Sequence, residues 1–399
     1  MRTTEHAQAM ATELVDLRRR LHQVPELGLD LPTTQALLLE ALTPLELELT
    51  TGQGLSSITA VIRGTGDGPP VLLRGDMDAL PVAEQVDLPY VSQHPGLMHA
   101  CGHDLHMAAL VGAARILHAM RDELAGDVVL MFQPGEEGPG GAEPMIAEGL
   151  LDAAGRRVEA AYALHVYSSG DPIGLFVGRP GALFAAVDEL HVRVQGEGGH
   201  GSAPFRAKDP VPVAAEIVLG LQLMVTRQFD IFDPVVVTVG QITSGTAENI
   251  IPSTADLAAT VRTFSAAARV KVETASRTVA EGIAAAHGMT AEVRYVPGYP
   301  ATVNEPAEYA FAVDTVTSLF GADRYREWAN PDPGGEDMSF VLQEVPGAYL
   351  MVSAVRAGTD HETAPDNHSP LADFDDSVLP DCAALLAELA LRRTRRPGD

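Results

Sequence analysis

The chain has 399 residues, past the roughly 250–300 at which one hydrophobic core usually stops growing, so two domains are expected. Hydrophobic residues make up 46% and charged residues 20%, the balance of a soluble globular protein with an ample core. A formal net charge of −27 argues against a nucleic-acid or anionic-membrane partner, because either needs a positive face. The two cysteines, Cys101 and Cys382, supply no disulfide framework and fit a reducing, cytoplasmic setting.

The N-terminal segment reads as an amphipathic helix and not as a signal peptide, and no stretch approaches the ~20 apolar residues of a membrane span. Residues 57–63 and 71–74 are short apolar runs bounded by Gly and Pro, which predicts buried strands. Residues 105–120 predict a buried helix, with Asp104 placed to cap it. A strand over 127–133 stops at Pro134-Gly135, a helix follows over 142–150, and another strand over 160–166. Strands alternating with helices imply a mostly parallel sheet covered by helices on both faces.

The pattern changes near Ala185. A strand over 187–195, a helix over 212–228, strands over 235–242 and 255–264, a helix over 266–286 and a strand over 290–296 give the order β-α-β-β-α-β. That order is the ferredoxin-like split unit. From about Tyr299 the earlier alternation resumes, with a strand over 346–353 and a helix over 377–393. The expected architecture is an α/β domain over residues 1–184 and 299–399 that carries an inserted α+β domain over 185–298.

Polar residues gather at the strand ends of the α/β part. Gly75-Asp76-Met77-Asp78, Pro134-Gly135-Glu136-Glu137-Gly138 and His165 each end a strand, and His99-Ala100-Cys101-Gly102-His103-Asp104 precedes a helix. In open α/β sheets, ligands bind beyond the carboxyl ends of the strands, so these segments should meet at one edge. A mixture of Cys, His and carboxylate suits zinc, manganese, cobalt or nickel better than calcium or magnesium. Each residue taken alone has an ordinary alternative. A lone buried cysteine is usually inert packing, a Glu-Glu pair is usually a solvated turn, and a histidine at a strand end is often a satisfied core residue. His106 has no evident role, and His22, His94, His118, His191 and His287 lack a functional context. In the inserted part, glycines flank His200 and would let its backbone approach a ligand. Asn249 offers an amide, and Arg262 could clamp a carboxylate or form an ordinary surface ion pair.

Together, Asp76-Met77-Asp78-Ala79-Leu80-Pro81, His99–Asp104, Gln133–Gly138 and Gly199-His200-Gly201-Ser202-Ala203-Pro204 resemble the M20 metallopeptidase family. The Cys-Gly-His-Asp form is similar to its amidohydrolase branch, which includes hippurate hydrolases, N-acyl amino acid amidohydrolases and plant auxin-conjugate hydrolases. The resemblance extends to residues 245–252, 335–340 and His368-Ser369-Pro370. It implies that Cys101, His103, Glu137, His165 and His368 hold two divalent metal ions, with His361 as a rival to His368. It implies Glu136 as general base, Asp78 as support for the site, and Asn249 and Arg262 as substrate-holding residues. It also implies a homodimer through the inserted domain, with His200 reaching a neighbouring subunit's active site. Asn367 and Met338 depart from the residues common in relatives at those places. The activity so implied is hydrolysis of an N-acyl amino acid by water activated at the metals. A dipeptidase or aminopeptidase on the same centre, or a silent small-molecule-binding homologue, are the alternatives.

Overall fold

Every residue of the strand Gly68–Asp76 is buried, which is how a strand reads when helices cover both faces of its sheet. The computed structural model describes residues 2–395 and divides into two units. Unit 1 comprises Met1–Gly181, Val303–Asn330 and Phe340–Asp399, and unit 2 comprises Ala182–Thr302 with the short segment Pro331–Ser339.

Unit 1 contributes the strands β1 (Glu48–Thr51), β2 (Ile58–Ile62), β3 (Gly68–Asp76), β4 (Gly126–Gln133), β5 (Ala160–Tyr167) and β6 (Phe176–Gly178). Unit 2 follows with β7 (Ala186–Gln195), β8 (Val235–Ser244), β9 (Thr254–Thr263) and β10 (Thr290–Pro297), and the chain returns to unit 1 for β11 (Tyr325–Glu327) and β12 (Gly347–Ser353). The sheet of unit 1 runs in the order β1-β2-β4-β3-β5-β12-β6-β11. Its centre, β4-β3-β5-β12, is parallel, while β1, β2 and the β12–β6 pairing are antiparallel.

Three helices of unit 1 matter to the site: α1 (Ala11–His22), α2 (His103–Ala119) and, at the end of the chain, α5 (Leu379–Arg393). Helix α2 is buried almost throughout, and Leu105, Leu110, Val111 and Leu117 join Leu386 and Leu389 of α5 in one core. Gly112 permits that approach, since a Cβ there would stand 2.8 Å from Ala383 Cβ and 2.9 Å from Leu14 Cδ1.

One expectation fails here. Asp104 does not cap α2; the cap position is Gly102, with no side-chain cap. Two buried donors on α1 claim the carboxylate instead: Arg18 Nε and His22 Nδ1 each lie 2.7 Å from Asp104 Oδ2. A buried carboxylate gains more from paired charge than from a backbone N–H, so the ion pair wins.

In unit 2 the strand order is β8-β9-β7-β10, all antiparallel, which is the ferredoxin-like arrangement. Helices α3 (Pro210–Gln228) and α4 (Ala266–Ala286) start at the N-caps Asp209 and Ser265, whose side chains accept from Val211 N and Ala268 N. Ile217, Leu221 and Val272 of these helices pack with Leu190, Val192 and Leu257 of the sheet. The alternate residues of β9, among them Arg262, lie outside that core. Contrary to the reading of the sequence, α3 is long and apolar enough to cross a membrane by length and composition. It packs one face on this sheet and leaves Leu219 71% and Leu223 62% exposed on another.

Candidate metal centre

The parallel strands deliver their ends to one edge. Asp76 ends β3 and leads to Asp78; Gln133 ends β4 and leads to Glu136 and Glu137; His165 lies within β5. The Cys101 loop crosses this edge into α2. Its Gly102 has φ +82, and a Cβ there would meet Val166 Cγ2 at 2.4 Å, so only glycine lets the loop lie on β5 beside His165. His368 arrives from the far end of the chain. It takes the left-handed conformation, φ +68, and its backbone N–H donates to Ala100 O at 2.9 Å.

Two ring tautomers follow from backbone contacts. His103 Nδ1 lies 2.8 Å from Asp78 O, and His165 Nδ1 lies 2.7 Å from Val166 O. A carbonyl only accepts, so each Nδ1 carries the proton and each Nε2 keeps its lone pair for a metal. His165 Nε2 is 3.4 Å from Cys101 Sγ, and His368 Nε2 is 3.3 Å from the same sulfur. Glu137 Oε1 lies 3.3 Å from His368 Nε2 and 3.7 Å from His103 Nε2. Buried His103 Nε2 and Glu137 Oε1 make no hydrogen bond to any described residue.

Orphaned acceptors of this kind are costly unless something else satisfies them, and a cation does so. The donor atoms of Cys101, His103 and His165 lie within 4.8 Å of one another, as do those of Cys101, Glu137 and His368. Two groups of three that share one sulfur fit a pair of metal ions, and their S, N and O donors suit transition metals or zinc. His361 joins no such group among the described residues.

The electrostatics agree with the fit. Burial pushes the Cys101 thiol up, and Glu137 adds to that. Burial opposes the charge of Glu137 as well, but His368 and His103 hold its carboxyl down at about 2. Cys101 and Glu137 together raise His368 to about 10, whereas burial and the neighbouring His106 drop His165 to about 3. Without a cation, Cys101 and His368 hold protons where metal would sit.

Asp78 lies beneath the two glutamates. Its two carboxylate oxygens accept the backbone N–H groups of Glu136, at 2.9 Å, and Glu137, at 3.0 Å. Both neighbouring glutamates are thereby fixed. Glu136 is buried, and its carboxylate comes within 4.8 Å of the His103 and Glu137 donor atoms.

Several participants escaped the sequence reading. His106 Nδ1 lies 2.5 Å from Asp76 Oδ1, and its Nε2 accepts from Val166 N at 2.8 Å. Both ring nitrogens are spent, so His106 orders the site and does not ligate, although it lies close enough to Asp76 and His103 to form a metal-sized group. Behind it, Arg74 donates to Asp76 Oδ2 at 2.6 Å and to Gln133 Oε1 at 3.0 Å. Burial opposes ionisation of Asp76, but Arg74 and the two histidines hold its carboxyl well below the usual range. Arg74 was a readable signal, since a guanidinium inside an apolar strand demands partners. Nothing in the spacing of His22, Glu84 and Asp104 announces that His22 bridges the two acids, at 3.0 and 2.7 Å.

The remaining predicted residues belong to unit 2. His200 pairs with Ile250 across a two-residue bridge, and Gly201 N donates to Asn249 O at 2.9 Å. The glycines therefore serve contact within the unit: a Cβ on Gly201 would meet Asn249 backbone at 3.1 Å. His200 and Asn249 are exposed. Arg262 lies apart on β9, half-buried, with Nη1 2.6 Å from Thr260 Oγ1.

Comparison with known proteins agrees with this architecture. The chain is 36% identical over 386 residues to thermostable carboxypeptidase 1 of Saccharolobus solfataricus, covering 95% of each chain. It is 35% identical over 385 residues to N-acetylcysteine deacetylase of Bacillus subtilis, covering 96% of this chain and 97% of the relative. The crystal structure of Bacillus subtilis YXEP protein, described as a dinuclear metal binding peptidase from the M20 family, superposes with a TM-score of 0.82 at 32% identity, covering 96% of this chain and 98% of that one. The family model for peptidase family M20/M25/M40 matches residues 72–392, a span that begins in β3 and takes in Cys101, Glu136, Glu137, His165 and His368. A sulfur-sharing pair of donor groups at the end of a parallel sheet, on a chain matched over this length, makes the protein a member of peptidase family M20/M25/M40.

Proposed function

We propose that the chain hydrolyses the amide bond of N-acyl amino acids, of the hippurate or N-acetyl type, releasing a carboxylic acid and a free amino acid. Cys101, His103, Glu137, His165 and His368 would hold two divalent ions in this reading. Zinc, manganese, cobalt and nickel are the candidates. One observation carries it: His103 Nε2 and Glu137 Oε1 are buried without a hydrogen bond to any described residue, beside a sulfur that two further imidazoles approach within 3.4 Å.

When bound, the metals supply Lewis acidity, polarising the amide carbonyl and lowering the pKa of water. Glu136, fixed through its backbone by Asp78, takes the proton of the attacking water and passes it to the leaving nitrogen. His200 donates from Nε2 to the developing oxyanion. Arg262 and Asn249 hold the substrate's carboxylate and amide. The same reading makes the protein a homodimer through the inserted domain, with His200 serving the neighbouring subunit, and the exposed Leu219 and Leu223 of α3 support an interface there. It also sets the reaction in the cytoplasm, supported by two cysteines that are both free.

Glu136→Ala tests the base. Hydrolysis of N-acetyl amino acids should fall ~10²–10⁴-fold while elemental analysis finds the metal retained. Full activity in that variant would remove Glu136 from the mechanism. The likeness to a carboxypeptidase favours a second reading, peptide cleavage on the same centre. Turnover of unblocked peptides, with none of N-acetyl or benzoyl amino acids, would select it.

A further inference from the structure

We infer that Asn367 is a positioning residue of the metal centre, whose carboxamide donates a hydrogen bond to the Cys101 sulfur and ties together the three segments that bring Cys101, His165 and His368. The inference rests on the proposal that Cys101 is a metal ligand and goes beyond the ligand set.

The Asn367 side chain sits where those segments meet. Its Nδ2 lies 3.1 Å from Val166 O, 3.4 Å from Cys101 O and 3.7 Å from Cys101 Sγ. Its Oδ1 lies 3.0 Å from Ser168 N and 3.2 Å from Ser168 Oγ. These neighbours fix the amide's orientation. Ser168 N can only donate, and Val166 O and Cys101 O can only accept, so a flipped amide would face like groups on both sides. The N–H side must therefore point at Cys101. One hydrogen satisfies Val166 O; the other divides between the carbonyl and the sulfur of Cys101. The Ser168 hydroxyl donates to Pro365 O at 2.7 Å, so it anchors the same loop separately.

The neighbouring backbone adds to the clamp. His368 N holds Ala100 O, so residues 367 and 368 lie along residues 100 and 101 by both main chain and side chain. A donor aimed at a thiolate withdraws charge from it and restricts its position, as the outer partners of metal ligands do.

Aspartate is the informative replacement. It keeps the shape and still accepts from Ser168 N, but it turns an acceptor and a negative charge toward two carbonyls and the sulfur. In cobalt(II)-loaded protein, the thiolate-to-cobalt charge-transfer band should move to lower energy in Asn367→Ala and further in Asn367→Asp. Chelator competition should show cobalt bound ~10–100-fold more weakly. Ser168→Ala, which keeps the backbone donor to Asn367 but removes a separate loop anchor, should leave the band at its wild-type energy even where it weakens cobalt binding. The alanine and serine-site variants keep the test readable if Asn367→Asp does not fold, with thermal unfolding of each metal-free protein as the check. A band unmoved in the Asn367 variants overturns the inference, and weakened affinity with an unmoved band does so equally, because loop anchoring alone would do that. A wild-type cobalt protein without the band, or a band that survives Cys101→Ser, overturns Cys101 as a ligand and this inference with it.

Discussion

At the scale of single residues, the backbone sets much of the chemistry. Ser202 N lies 3.1 Å from His200 Nδ1, and Ser202 Oγ lies 2.9 Å from it. An N–H only donates, so Nδ1 is the acceptor and the proton sits on Nε2, the donor an oxyanion needs. His200→Ala should therefore lower kcat ~10²–10³-fold in steady-state assays of N-acetyl amino acids. Ser202→Ala should stay near wild type, because the backbone donor persists. What the sequence could reveal at this scale was the residue whose type is itself the signal. Cys101-Gly-His103 and Glu136-Glu137 stand out because soft ligands and paired carboxylates are unusual at strand ends. Asn367 stands out only as a departure from relatives and His106 not at all, since an amide before a histidine and a histidine on an apolar helix are ordinary until their partners are placed around them.

At the scale of elements, α1 and α2 are joined by charge as well as by packing. His22 is buried between Asp104 and Glu84, with Arg18, His99 and Tyr90 also facing it. Burial opposes its charge and Arg18 repels it, yet Asp104 and Glu84 raise its pKa above the ordinary 6.5. A histidine raised in the folded state stabilises fully below its unfolded pKa, and the contribution fades as pH rises through the folded value. The unfolding free energy lost in His22→Gln, measured with urea, should thus be greatest below pH 6.5 and shrink at alkaline pH. An unchanged difference across that range would exclude the charged pair. Element type was legible from periodicity, and the α4 range over 266–286 is a case where it reached the ends, because Ser265 caps one of them. β3 was underestimated at both ends. Pro69 and Pro70 hide its start, since proline cannot join the ladder, and the pairing with β4 is irregular between Gly68 and Val71. Arg74, Gly75 and Asp76 hide its finish, because polar residues look like a loop until Gln133 and His106 are found to bury them.

At the scale of the molecule, the proposed dimer makes a prediction that no single subunit can satisfy. If His200 serves the neighbour, Glu136→Ala and His200→Ala subunits complement each other. A mixed dimer then holds one complete site, so random exchange should restore about one quarter of wild-type activity by the arithmetic of a two-fold dimer. A mixture as inactive as its parents would place His200 at its own subunit's centre. The change in strand pattern near Ala185 falls close to Ala182, where unit 2 begins. The short segment Pro331–Ser339 that groups with unit 2 was not legible, because its proximity to Phe184 and Ala185 is a long-range contact with no local signature.

The interruption has a consequence during synthesis. Unit 2 is almost entirely one run of chain, and domains tend to fold as they emerge from the ribosome. Unit 1 cannot follow that order. Its parallel sheet lacks β12, which pairs with β5, and its longest core helix lacks α5 until the last part of the chain is made. His368 is 267 residues from the sulfur it approaches. A nascent chain that ends before it has four of the five proposed ligand residues and no complete site, so metal capture would report that translation has passed nearly its whole course.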